Sequence, residues 1–326
     1  MSKTLFYLTY LQSNTQTQHK YITTMIISVI SKNAGFYSLL FFAINHYLYA
    51  KNNGLNFLLD SSEWLFTYQK GWEDYFQNID IINNNSNQRN GICIGHHQQI
   101  GNFTITEYKN IIKEIYVYND TIAEKIATKK QELNLTDYDS IFIRRGDKLS
   151  GESNYIETQK YLTVLLDKNP NCSTIFLQTD DYNCYLELQQ HIVELQLNIK
   201  VVTLCKEHTK GGMIIFSCNK IGIEQAINEH VINKDYISSV IDHLRDAVPI
   251  DKLNPEQMYE HTLEMLIGID IVLNSNIAIC EYSSNVSRFI KLAHINCDNV
   301  FDVLNPNRDI DWNKTRCPAF ELHYAD

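Results

Sequence analysis

The chain has few glycines and prolines, 12 and 5 among 326 residues, while Asn, Ile, Lys and Tyr are frequent. This bias is typical of AT-rich coding and says nothing about function. The eight cysteines form no Cys-x-x-Cys pair and no other zinc-finger spacing, which disfavours a structural zinc site. Hydrophobic residues make up 44% and charged residues 20%, the composition of an ordinary globular protein.

An excess of positive charge is also missing. The net charge is −10, and the lysines and arginines are scattered rather than clustered in a stripe. Binding to the phosphate backbone of a nucleic acid needs a basic surface. We therefore do not expect nucleic acid to be the main partner.

No long apolar run is present. The most apolar stretch, residues 25–45, is interrupted by Lys32, Asn33 and Gly35, and the first residues do not form a convincing signal peptide. Several cysteines lie in apolar runs, where a buried free thiol is expected. These features predict a cytoplasmic protein without a membrane span.

Familiar catalytic motifs are absent as well. There is no Gly-x-Ser-x-Gly elbow and no phosphate-binding P-loop. Of the eleven histidines, only His96 and His97 are adjacent, and neighbours on regular structure do not point at a common ion. The sequence predicts no metal site built on histidine.

The length suits two domains, which we predict at residues 1–137 and 138–326. In the first, we expect strands at about 23–30 and 55–59, a helix at about 38–51 ending at Asn53-Gly54, and a long helical stretch at about 106–133.

The second domain alternates strands with helices. The expected strands are 141–143, 174–178, 199–204 and 276–280, and the expected helices are about 155–167, 183–195, 255–273 and 286–294. Asn254 followed by Pro255 marks the start of the third helix. This alternation predicts an α/β fold with a mainly parallel, doubly wound sheet.

Reactive side chains follow three of these strands. Arg144-Arg145-Gly146-Asp147-Lys148 follows the first, with Glu152 close behind; Asp180-Asp181 follows the second; Ser283-Ser284-Asn285 follows the last and opens a helix. Ligands of open α/β sheets bind at the carboxyl ends of the strands, and helix N-termini favour anions. The three loops are therefore expected to form one site, with the arginines as a phosphate clamp.

Each loop taken alone has a simpler explanation. The charged residues after a strand can be a solvated loop, and Arg145-Gly146-Asp147 is formally an adhesion tripeptide. The two aspartates can bind a metal or sugar hydroxyls, and capping of the next helix by Asp181 is the simplest alternative. Ser284 is by itself an ordinary helix cap.

The same three segments resemble a known family. Phe142-Ile143-Arg144-Arg145-Gly146-Asp147-Lys148, with Glu152 and Tyr161, resembles the donor-binding motif of the α1,6-fucosyltransferases, which include the core-fucosylating enzymes of animals and the nodulation fucosyltransferases of bacteria. Residues 175–181 resemble the second motif of that family, and residues 275–285 resemble the third. Weaker similarity extends to residues 35–38 and 71–76.

The resemblance implies a GT-B-like pair of Rossmann-like α/β domains with the donor site in the C-terminal one. It further implies an inverting, metal-independent transfer of fucose from GDP-fucose, a co-substrate rather than a cofactor, to a glycan or glycoconjugate hydroxyl. The catalytic residues would be Arg144, Arg145, Lys148 and Glu152. Arg144 and Arg145 would neutralise the leaving diphosphate, and Glu152 would act as general base, with Lys148 as a relay. The other donor-binding residues would be Asp147, Tyr161, Asp180, Asp181, Ser283, Ser284 and Asn285.

Two positions depart from the family pattern. Phe142 stands where the family usually has a histidine, and Gly268 stands where an aspartate helps to read guanine; Glu264 and Asp270 are candidates to compensate. Three hypotheses therefore remain: a fucosyltransferase, a related transferase that uses another nucleotide sugar, and a non-catalytic protein that binds a nucleotide sugar. Glu152 disfavours the third, because a protein that only binds its ligand needs no base there.

The acceptor is not readable from the sequence. An aromatic group in the first domain, Trp64, Tyr68, Trp72, Tyr75 and Phe76, could stack on sugar rings. Such a cluster is more often part of a hydrophobic core, which is the interpretation we favour.

Overall fold

The computed structural model describes residues 25–30, 34–80, 91–95, 100–145, 155–209 and 252–310. Its strands are β1 (Met25–Val29), β2 (Asn56–Asp60), β3 (Gly91–Gly95), β4 (Asp139–Ile143), β5 (Thr174–Thr179), β6 (Lys200–Thr203), β7 (Ala278–Cys280) and β8 (Val300–Asp302). Its α-helices are α1 (Phe36–Asn52), α2 (Ile105–Ile115), α3 (Asp120–Leu133), α4 (Thr158–Lys168), α5 (Tyr182–Glu194), α6 (Pro255–Leu273) and α7 (Asn285–Ala293). Among the helices described, none is long and apolar enough to cross a bilayer.

The strands form two sheets, and every strand pair is parallel. The first sheet has the order β2-β1-β3, and the second has the order β6-β5-β4-β7-β8. The predicted α/β class with two parallel, helix-flanked sheets is therefore confirmed. The domain boundary at residue 137 stays a prediction.

One expected element is divided in two. The helical stretch predicted at 106–133 is wrong as a continuous helix, because α2 ends at Ile115 and α3 begins at Asp120. Asn119 caps α3 by accepting a hydrogen bond from the backbone N–H of Ile122, at 3.0 Å. Just before it, Tyr118 forms an antiparallel bridge with Phe76. A cap and a tertiary bridge here override the helical pattern.

The start of α6 agrees with its sequence signals. Asn254 accepts a hydrogen bond from the backbone N–H of Gln257, and the Gln257 side chain bonds back to the Asn254 N–H, which forms a complete capping box. The helix begins at Pro255 and ends at Leu273, as predicted. The expected stop of α1 is also confirmed, since Asn53 is its C-cap and Gly54 adopts a φ of 64°.

The aromatic group of the first domain belongs mainly to the core. Trp64, Trp72, Tyr75 and Phe76 are buried, which confirms the core interpretation for these four, whereas Tyr68 is only half-buried and contacts Tyr259 of α6. Core burial leaves their faces in contact with protein. They are not displayed as a sugar platform.

The larger core is continuous between the two predicted domains. Phe289 of α7 lies at this junction, where its ring centroid is 4.8 Å from that of Tyr37 and 4.6 Å from that of Tyr116. Aromatic rings at these separations attract each other beyond their burial. Helix α7 of the second predicted domain thus packs closely against α1 and the end of α2.

This packing predicts a large loss of stability in Phe289→Ala. Phe289 is 0% exposed, and truncating such a side chain costs about 3–5 kcal/mol. Denaturant unfolding of the variant measures the loss. Ile295→Ala is the control, because Ile295 is 76% exposed and should change the free energy of unfolding by no more than about 0.5 kcal/mol. Equal losses in the two variants would contradict the packing described.

Candidate functional site

The order of the second sheet defines a crevice at its carboxyl edge. Successive strands run outward from β4 to β5 and β6 on one side, and from β7 to β8 on the other. The direction in which successive strands are added to the sheet therefore reverses between β4 and β7, which pair directly and in parallel. Ligands of doubly wound sheets bind outside the strand ends at such a switch point. Arg144 follows β4 and Glu281 follows β7, so both stand at this crevice.

The two arginines leave β4 toward opposite faces of the sheet. Side chains alternate along a strand, and Phe142 packs with the α6 side of the sheet while Ile141 and Ile143 pack with α4 and α5. By this alternation, the side chain of Arg144 projects to the same face as Phe142, and the side chain of Arg145 to the same face as Ile143. The predicted pair therefore does not present one continuous fork to a single anion.

Arg145 is held within the protein. Its side chain is 3% exposed, and Nη2 donates to Ile156 O at 3.2 Å, Thr158 Oγ1 at 3.0 Å and Glu187 Oε2 at 3.2 Å. The guanidinium also lies 3.9 Å from the ring centroid of Tyr155. Arg145 thus joins β4 to α4 and α5, and its direct contact with a phosphate stays a prediction.

Arg144 is the more accessible arginine. Its side chain is 22% exposed, and its Nε lies 3.7 Å from Asp180 Oδ2. The other oxygen of Asp180 accepts a hydrogen bond from the backbone N–H of Arg145, at 2.7 Å. Asp180 therefore connects the ends of β4 and β5 and holds the Arg144 side chain near the crevice. This arrangement favours Arg144 as the phosphate ligand.

Asp181 and Tyr161 are buried beside the crevice. Asp181 caps α5 by accepting from the backbone N–H of Asn183 at 2.9 Å, so the capping alternative is confirmed. Tyr161 of α4 is 3% exposed, and burial, followed by the charge of Glu281, raises the pKa of its phenol. Donor binding by either residue stays a prediction.

The turn from β7 to α7 brings together the third predicted segment. Ser284 caps α7 by accepting from the Ser287 N–H at 3.2 Å. Ser283 donates both its N–H, at 3.0 Å, and its hydroxyl to the carboxylate of Glu281. Asn285 opens the helix, and its buried Oδ1 has no hydrogen-bond partner in the part of the chain that the structure describes.

Glu281 is the site residue that the sequence analysis missed. It immediately follows the inner strand β7, which is the same signal that identified the arginines after β4. Burial raises the pKa of its carboxyl group, the hydrogen bonds from Ser283 offset part of that rise, and the nearby Asp302 adds to it. A carboxyl with a raised pKa at a switch point is suited to proton transfer or to binding hydroxyl groups.

The two positions that depart from the family pattern meet on the α6 side of the sheet. Phe142 is 6% exposed and pairs in register with Gln178 of β5. Gln178 in turn lies against Gly268, where an added Cβ would come within 1.9 Å of its Oε1. A glycine inside a helix costs about 1 kcal/mol relative to alanine, and here the amide of Gln178 fills the space it leaves.

The two acids proposed to compensate for Gly268 have other partners. Asp270 lies 2.5 Å from Lys130 Nζ of α3, and Glu264 lies 3.3 Å from Lys206 Nζ, which follows β6. Asp270 therefore faces α3. Glu264 stands one turn from Gly268 at the edge of the sheet. Gln178, not an acid, occupies the space at Gly268.

Three predicted residues, Asp147, Lys148 and Glu152, lie outside the described residues, as do His96 and His97. Within the described ranges, no group of three His, Cys, Asp or Glu side chains is placed to hold a metal ion. The metal independence of the reaction stays a prediction.

The raised pKa of Glu281 predicts a pH-dependent effect of Glu281→Gln. A carboxyl whose pKa is higher in the folded than in the unfolded state contributes stability below its ordinary pKa, and this contribution is lost as pH rises through the folded pKa. The variant should therefore gain stability relative to the natural protein as the pH rises from about 4 to 8. Urea unfolding at several pH values measures the difference.

Glu260→Gln is the matched control, because it removes a carboxylate from an exposed position on α6. If the two variants show the same dependence on pH, the carboxyl of Glu281 is not destabilised by its surroundings.

Comparison with known proteins gives a distant structural likeness only. No protein-family model matches the chain, and no curated protein matches it. Among solved structures, it is similar to the NodZ α-1,6-fucosyltransferase soaked with GDP-fucose and to the fucosyltransferase NodZ from Bradyrhizobium. Each has a TM-score of 0.48 and 12% identity over 93% of this chain and 99% of that chain. NodZ co-crystallised with GDP matches with a TM-score of 0.44 and 12% identity, over 83% of this chain and 92% of that chain. Because these scores lie below 0.5, we base the proposed function on the residues of this chain.

Proposed function

We propose that the chain is a glycosyltransferase that moves a sugar from a nucleoside diphosphate donor to the hydroxyl of a glycan or glycoconjugate. The observation that carries this proposal is the switch point between β4 and β7, where Arg144, Glu281 and the N-terminus of α7 stand at one crevice. A guanidinium and a helix N-terminus both favour a phosphate group. GDP-fucose is the first donor to test, because the three segments at this edge resemble the fucosyltransferase motifs.

The reaction is a single displacement. The acceptor oxygen attacks the anomeric carbon, the bond from that carbon to the phosphate oxygen breaks, and the configuration at the carbon inverts. Negative charge then grows on the leaving diphosphate. Arg144 stabilises that charge with hydrogen bonds that strengthen in the transition state, without need of a metal ion.

The proton of the acceptor hydroxyl passes to a carboxylate. Glu152 fills this role in the proposal, with Lys148 as a relay, because these residues match the family motif. Asp180 supports the mechanism by holding Arg144, whose Nε lies 3.7 Å from its Oδ2. Arg145 fixes the end of β4 through its bonds to Thr158 and Glu187.

A transferase that uses another nucleotide sugar is the second candidate. It is favoured by the residues at the two positions where the family reads the base. Phe142 and Gly268 have no polar side chain that could bond to guanine. Both candidates share the diphosphate site and differ in the base.

Ligand-induced stabilisation tests the donor site. The melting temperature should rise with at least one of GDP, UDP, dTDP and ADP, since a ligand at a hundred times its Kd stabilises the folded state by about 2.7 kcal/mol. Arg144→Ala should lose this shift while its melting temperature without ligand changes little, because the side chain is partly exposed. Differential scanning fluorimetry measures both quantities.

Lys200→Ala is the control for Arg144→Ala. Lys200 is exposed at the amino end of β6, so its removal subtracts one positive charge from the opposite edge of the same sheet. An equal loss of shift in both variants would mean that net charge, not a site at β4, binds the nucleotide. The absence of a shift with every nucleotide would overturn the proposed function.

Glu152→Gln separates binding from transfer. The variant should keep the nucleotide-induced shift and lose at least about 100-fold in acceptor-dependent release of nucleoside diphosphate from the sugar donor, because an amide cannot take up the proton. Release is measured with the donor that binds, across a panel of glycan acceptors. Full activity in the variant would remove Glu152 from the mechanism and leave Glu281 as the carboxylate at the crevice.

A further inference from the structure

The amide of Gln178 has an unusual place in the second sheet. It projects from β5 beside its register partner Phe142 and fills the space over Gly268 of α6. A Cβ added to Gly268 would lie 1.9 Å from Gln178 Oε1, 2.4 Å from Cδ and 2.8 Å from Nε2. Every atom of the amide group thus approaches the helix so closely that position 268 cannot carry a side chain while Gln178 keeps its conformation.

The amide also carries an unused hydrogen-bonding group. Oε1 of Gln178 is buried, and across the described ranges no donor lies within hydrogen-bond distance of it. The residue as a whole is only partly buried, although its Oε1 is buried. A buried acceptor without a donor is costly in a folded protein, and a ligand that supplies the donor recovers that cost.

The position of Gln178 relative to the phosphate site follows from strand geometry, and here the inference rests on the proposed function. Gln178 lies on β5 and Asp180 directly follows that strand, as Phe142 lies on β4 and Arg144 directly follows it. Continued alternation places all four side chains on the α6 face. In doubly wound sheets the nucleoside extends from the switch point along the neighbouring strand, where an acid at the strand end meets the ribose. Asp180 stands at that strand end.

We propose that Gln178 selects the nucleobase of the sugar donor through hydrogen bonds from its side-chain amide. An amide offers an acceptor and a donor side by side, and so pairs with a base edge on which a donor lies next to an acceptor. The two acids of α6 near Gly268, Asp270 and Glu264, cannot take over this task without breaking an ion pair. Asp270 is bound to Lys130, and Glu264 to Lys206.

The chemistry of the amide gives the selection its strength. A site built to bond a polar group rejects a ligand that leaves its own buried group unpaired, whereas apolar contacts discriminate weakly. Phe142, the register partner of Gln178 on β4, has only an apolar ring, which is buried in the core. The ranking of nucleotides should therefore depend on Gln178 and hardly on Phe142.

Titration calorimetry with GDP, UDP, dTDP, ADP and CDP tests the proposal in the full chain. Gln178→Ala should weaken the preferred diphosphate about tenfold and the others by less, so that the preference collapses. Gln178→Glu keeps the volume of the side chain but removes its donor, and it should change the ranking of the five ligands. Gln159→Glu, at an exposed position on α4, is the charge control and should leave the ranking unchanged.

The outcomes separate this inference from the proposed function. If the natural protein binds one of the five diphosphates and both Gln178 variants change all five affinities by the same factor, Gln178 only fills space and the inference fails alone. If the natural protein binds none of the five, the donor site itself fails, and the inference fails with it. Melting temperatures without ligand, measured on each variant, show that a lost preference does not come from lost folding.

Discussion

The site depends on the pairing of β4 with both of its neighbours. β4 pairs in register with β5 from Asp139 to Ile143 and with β7 at Ser140 and Ile141. This central position creates the switch point, and the alternation of side chains along the strand then sets the direction of each residue that follows. Arg144 and Arg145 are adjacent in sequence but belong to different surroundings. One stands at the crevice beside Asp180, and the other is buried beneath Tyr155.

Much of the second sheet could be predicted because its signals are local. Apolar runs, caps and helix periodicity identified β4, β5, β6, α6 and α7 with small errors at their ends. The strands β3 and β8 were missed because GICIG has a glycine at each end, which disfavours a strand, and VFD has only two apolar residues. The division between α2 and α3 was missed because it depends on a bridge from Tyr118 to Phe76, a contact between distant parts of the chain.

The same distinction applies to the site. The convergence of three loops follows from the order of strands and helices, and capping by Asp181 follows from its place before α5. To predict that the two arginines separate, one must know which face of the sheet each β4 side chain occupies. That depends on what packs on each side of the sheet. The contact of Gln178 with Gly268 joins positions 90 residues apart, and no local pattern could reveal it. Sequence reasoning thus located the edge of the sheet and named residues there, but not their partners.

In the proposed site, the diphosphate and the base bind on the same face of the second sheet, because Arg144 and Gln178 both project toward α6. In this proposal the switch point between β4 and β7 offers positive charge and helix N–H groups to a diphosphate, and the Gln178 amide, between β5 and α6, bonds to the base. The central claim is that the diphosphate lies at the switch point. A crystal structure of the chain with its best-binding nucleoside diphosphate tests it most directly. The account predicts phosphate oxygens about 3 Å from the guanidinium of Arg144, between the ends of β4 and β7. A nucleotide bound at the edge of the first sheet, or with its phosphates away from Arg144, would contradict it.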